Sequence, residues 1–77
     1  MNYYLINVPG SYGYTIPVKS QNISPNNFNF DNEVIDAAVK KGLFYDNKES
    51  YNANVVEMTP YDLEHFSKPG INIHDID

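Results

Sequence analysis

The 77-residue sequence contains no cysteine, no tryptophan and no arginine. Without cysteine there is neither a disulfide framework nor a thiolate metal site. A chain this short lies near the lower size at which one apolar core suffices, so the core must hold the fold unaided. Arginine is the side chain suited to bidentate phosphate and guanine contacts. All five basic residues here are lysines (Lys19, Lys40, Lys41, Lys48, Lys68), which argues against direct nucleic-acid binding. No apolar run approaches the roughly 18 residues of a membrane helix. MNYYLINVPG lacks the basic region and long apolar stretch of a signal peptide. These absences point to a cytoplasmic protein with no membrane partner. Asn22-Ile23-Ser24 matches a glycosylation acceptor but has no secretory context.

What is present favours a folded domain. The chain is 42% hydrophobic, with seven tyrosines and four phenylalanines, enough to exclude a disordered composition. Local helix signals agree best in FDNEVIDAAVKKGLF, residues 30–44. Asp31 is placed to cap the first turn, and Phe30 with Ile35 to staple it. Asp31 and Glu33 suit the positive end of the helix dipole, and Lys40 and Lys41 the negative end. Gly42 suits the left-handed position after the helix, with Leu43 folding back behind it. Val34, Ile35, Ala38 and Val39 form the apolar stripe.

Before this helix, residues 2–8 alternate as a strand, with Tyr4, Ile6 and Val8 on one face. Residues 14–19 alternate as a second, joined by a turn at Pro9–Gly13. Pro17 lacks an N–H, which argues for an edge position. Residues 20–29 form a polar connection, and 45–50 read as a loop. Residues 52–58 form a third strand whose two apolar faces suggest the centre of the sheet. Thr59-Pro60-Tyr61-Asp62 combines a cap, a proline at the first helical position and a capping-box acid. Lys68-Pro69-Gly70 ends that second helix. Residues 68–77 are expected as an edge strand or a flexible tail. The expected fold is a single α+β domain over residues 1–77. Its sheet has three or four strands with one main helix on a face, in the order β-β-α-β-α with an optional last strand.

Catalytic and metal chemistry find little support. His74, Asp75 and Asp77 are close in sequence, but His74 and Asp75 point to opposite faces of a strand. Asp62 and Glu64 diverge on a helix. No serine or threonine lies in a nucleophile elbow, and PGSYG leads into a strand, unlike a phosphate-binding glycine loop. The sequence therefore predicts no enzyme, no metal and no cofactor.

Two features remain. The whole net charge of −5 resides in residues 42–77, where seven acids face Lys48 and Lys68; residues 1–41 are neutral. Tyrosine is several times commoner than the roughly 3% of ordinary proteins. With Ser, Gly and Asn, it gives adaptable binding surfaces of large contact area. Together these point to a protein target with a basic surface. The candidate contact residues are Tyr12, Tyr45, Asp46, Glu49, Tyr51, Glu57, Tyr61, Asp62 and Glu64.

In profile the chain resembles the small acidic inhibitors encoded by phages and mobile elements: anti-CRISPR, anti-restriction and DNA-glycosylase-inhibiting proteins. The likeness rests on size, charge and the missing catalytic constellation, and assigns no residue. It implies inhibition of a nucleic-acid-handling or defence protein by surface masking, in the host cytoplasm for a phage-encoded chain. The alternative is a self-associating accessory module, a homodimer formed through the Pro17 edge or the alternating Ile71–Ile73 tail.

Overall fold

β1 (Asn2–Val8) is one of the two inner strands of the sheet, paired along both sides. Tyr4, Ile6 and Val8 point into the main core, while Leu5, on the reverse face, is also buried. A computed structural model describes residues 1–77 as a four-stranded mixed sheet with two helices, in the order β-β-α-β-α-β. The strand order across the sheet is β3-β1-β2-β4. The Cα radius of gyration, 11.7 Å, matches the ~11.5 Å of a compact chain of this length.

β2 (Tyr14–Ser20) pairs antiparallel with β1, placing Val8 opposite Tyr14 and Leu5 opposite Pro17. The edge position expected for it is not observed, because β4 (His74–Asp75) pairs along its far side in parallel. Pro17 remains compatible with this position. The Lys19 carbonyl accepts from the Ile76 N–H at 3.0 Å, so the odd-numbered backbone groups of β2 face away from β1. The missing N–H of Pro17 is on that outer side, and β4 begins at His74, opposite Val18. The tail is therefore a short strand, and Ile76 next to it joins the core.

α1 (Phe30–Lys40) lays the fully buried Val34 and Ala38 on the sheet face made by Tyr4, Ile6, Val8, Ile16 and Val18. Asp31 does not cap it. The helix starts two residues earlier, after Asn29, and Asp31 accepts from the neighbouring Asn32 N–H at 2.9 Å. That earlier start stacks the Phe30 ring on Tyr4, with centroids 5.7 Å apart. The C-terminus forms as the sequence predicts. Gly42 has φ +68°, Leu43 N–H reaches the Ala38 carbonyl at 3.1 Å, and Gly42 N–H reaches Val39 at 3.0 Å. This is the Schellman pattern, and it turns Phe44 into the core.

Residues expected as a loop instead contain a 3₁₀ turn, Asn47–Tyr51, closed by a capping box between Asp46 and Glu49. β3 (Asn54–Glu57) follows, antiparallel to β1. It occupies the sheet edge, not the centre. Its apolar content is two valines, of which Val56 stays 45% exposed; β1 has more to bury on both faces and takes an inner place.

α2 (Pro60–Phe66) begins with the predicted Thr59–Asp62 capping box and Pro60. β2, β3 and β4 all run in the same direction, so two crossovers link them. Right-handed crossovers place α1 on one face and return the chain from β3 to β4 over the other. On that second face Leu5 and Pro17 are buried, and Leu63 shares a groove with Tyr3 and Met58.

Candidate functional site

The nine candidate residues fall into two groups at opposite ends of the sheet. The hairpin end holds Tyr12 in the β1–β2 turn, together with Tyr45, Asp46, Glu49 and Tyr51 around the 3₁₀ turn. The other end holds Glu57, opposite Tyr4 near the start of β1, and Tyr61, Asp62 and Glu64 on α2. β1 spans six residue steps, roughly 20 Å, between these ends, with Glu57 two steps in from the far one. The nine therefore do not form one surface.

At the hairpin end, Tyr14 organises the site. Its hydroxyl donates to Glu49 Oε1 at 2.8 Å and accepts from the Tyr45 N–H at 3.2 Å. Burial, and then the hydrogen bond to Glu49, push the Tyr14 hydroxyl above the ordinary tyrosine range. Glu49 Oε1 also accepts from Asp46 N–H at 3.0 Å, and Asp46 Oδ1 accepts from Lys48 N–H at 3.0 Å. Both acids thus fix the loop as well as charging it. The Tyr45 ring meets Tyr14 edge-on, centroids 4.8 Å apart, yet Tyr45 is 90% exposed. Tyr12 and Tyr51 are exposed at 96% and 86%. One face of the sheet near this end carries a polar row in which Thr15 Oγ1 donates to Asn7 Oδ1, and Asn7 Nδ2 to Asn54 Oδ1.

At the opposite end, Asp62 is committed to its cap, accepting from both the N–H and the hydroxyl of Thr59 at 3.0 Å. Tyr61 and Glu64 are exposed on α2, where they line a shallow groove with His65 and Lys68. His65 lies edge-on to Phe66.

Two features escape the sequence reading. Phe28, within the polar 20–29 connection, is 97% exposed. The second is a carboxylate nest. The buried Ser20 hydroxyl donates to Asp77 Oδ1, and the Gln21 N–H donates to Asp77 Oδ2 at 2.5 Å. Ser20 Oγ in turn accepts from the Ile23 N–H at 2.9 Å. These donors, with Lys41 contributing, hold the Asp77 carboxyl below its ordinary range. Partners 57 residues apart leave no local pattern to read.

No grouping of three or more His, Asp or Glu side chains is arranged to hold a metal ion, and no helix is long and apolar enough to cross a membrane. The arrangement defines a small mixed-sheet α+β domain whose distinctive surface chemistry is aromatic and acidic. Comparison with protein-family models, curated proteins and solved structures yields no match for the chain.

Proposed function

We propose that this chain is an acidic protein-binding module that inhibits a nucleic-acid-handling or defence protein by masking a basic surface, in the manner of phage and mobile-element inhibitors. The observation that carries the reading is Tyr45. The residue is 90% exposed while its backbone N–H donates to the Tyr14 hydroxyl and its ring meets the Tyr14 ring. An aromatic side chain fixed in an exposed position loses little freedom on binding, which favours affinity. Tyr51 and Tyr12 add exposed aromatic area at the same end of the sheet. Asp46 adds negative charge, and the full net charge of −5 steers the module towards basic targets.

The test is an affinity pull-down with the tagged protein from a bacterial lysate, washed at low and at high salt. The expected result is one dominant partner, a nuclease, glycosylase or CRISPR effector, released by high salt. A salt-resistant partner with an acidic surface, or retention of nothing in lysates that contain such enzymes, contradicts the reading.

A further inference from the structure

The sheet ends on β3 at one side and on the two-residue β4, laid against β2, at the other. The outward-facing residues of β2 are Thr15, Pro17 and Lys19. Pro17 offers no N–H there, and β4 covers Lys19. Along β3, the Met58 N–H donates to the Tyr3 carbonyl at 3.0 Å, so even-numbered residues face β1. Val55 and Glu57 then turn their N–H and C=O groups outward. No strand lies beyond them. Neither proline nor lysine, the usual guards of an open edge, occurs in Asn54–Glu57. Val56, 45% exposed, ends an apolar row that runs from Pro17 through Leu5 across the sheet face opposite α1.

We infer that β3 pairs antiparallel with β3 of a second copy of this chain, about a two-fold axis at Val56. In this register Val55 lies opposite Glu57 of the other copy, and the reverse, so four outward N–H and C=O groups on each chain are matched. Val56 meets Val56, in a close non-hydrogen-bonded pair. The apolar row then continues unbroken through both copies of Leu5 and Pro17, and two four-stranded sheets become one of eight. A register centred on Val55 is poorer, because it sets Glu57 opposite Ala53, whose N–H is already used by the Ser50 carbonyl at 3.4 Å.

A second copy is the occupant because the edge is self-complementary: each free donor meets a free acceptor, and the exposed valine meets its own equivalent. The contact is small, below the ~1,200 Å² of a stable interface, so the dimer is weak and reversible. Each copy carries a net charge of −5, and the two Glu57 side chains flank the axis on one face. Salt therefore tightens this association, whereas it weakens binding to a basic target. The two proposals thus fail separately.

The experiment is sedimentation of the purified chain from micromolar to millimolar concentration, at low and high salt. The average mass should rise with concentration towards that of a dimer, and rise further in high salt. Glu57→Pro deletes an outward N–H and obstructs the edge while leaving every bond to β1, as Pro17 does in β2. It should weaken self-association by about tenfold or more. Val56→Asp should do the same from an exposed position, and Glu57→Gln should strengthen it severalfold by removing the repulsion. Circular dichroism checks the fold; if Glu57→Pro is unfolded, the other two variants carry the test. Protomer mass at every concentration in high salt overturns the inference. Association unchanged in folded Val56→Asp and Glu57→Pro also overturns it.

Discussion

Single hydrogen-bonding side chains tie the loops and the tail of this molecule to its sheet. Ser20 and Asp77 anchor the strand β4, and Tyr14 anchors the turn after α1. Asp77 has a depressed carboxyl in the folded chain. Its contribution is therefore present above the ordinary carboxylate value of about 3.9 and disappears as pH falls through the folded value. Amide signals of Gln21 and Ile76 should report release of the tail in acid. In Asp77→Asn they should look released already at neutral pH. Ser20→Ala, which strips the acceptor from the Asn22 and Ile23 N–H groups and the donor from Asp77, should cost about 1 kcal/mol in urea unfolding. Tyr14 and Tyr4 shift the other way, each raised first by burial. Stability from these two is complete below the ordinary tyrosine value near 10 and is lost as pH rises through their folded values. Absorbance titration of Tyr14→Phe should lack one high-pH ionisation, and the variant should lose about 1 kcal/mol of stability. None of these anchors was legible in the sequence. Their partners are distant along the chain, and one polar residue among many Asn and Ser gives no sign of which backbone group it will meet.

The elements were legible where local chemistry decides them. Gly42 is the only residue type that takes φ +68° without strain, and Thr59, Pro60 and Asp62 declare a helix start from four consecutive positions. Gly42→Ala should therefore destabilise by about 1 kcal/mol through the left-handed backbone. Thr59→Ala should cost about 1 kcal/mol through the lost cap. Both are readable from thermal unfolding, with an Asp31→Ala change as the contrast. Asp31 bonds only to its neighbour's N–H, so its loss should fall well below that of Thr59. What local chemistry could not decide was competition between elements. β1 and the segment 52–58 each offered two apolar faces, and only the larger apolar content of Tyr3–Val8 gave β1 an inner place. The 3₁₀ turn was hidden for a related reason. Asp46 and Glu49 form a capping box, but the apolar run that normally follows one is missing from Asn47–Tyr51.

For the molecule as a whole, the charge of residues 42–77 does not gather into one patch. Asp46 and Glu49 lie at the hairpin end, Glu57 on the β3 edge, Asp62 and Glu64 on α2, and Asp75 and Asp77 on the tail. Sequence counted the acids and the tyrosines correctly, but could not say that roughly 20 Å of sheet divides them. That division makes the location of binding testable. Asp46, Glu49 and Asp62 are poor choices for mutation, since each closes a capping box and its loss disturbs the local backbone. Tyr45, Tyr51, Tyr61 and Glu64 are exposed and can be changed with little effect on the fold. With the partner recovered by pull-down, Tyr45→Ala and Tyr51→Ala should each weaken binding by about tenfold or more, as expected for aromatic contact residues. Tyr61→Ala and Glu64→Lys should change it by less than about threefold. Calorimetry on the four variants reads both ends of the sheet at once. The reverse ranking would move the contact surface to α2, and equal losses at both ends would require a target long enough to span the sheet.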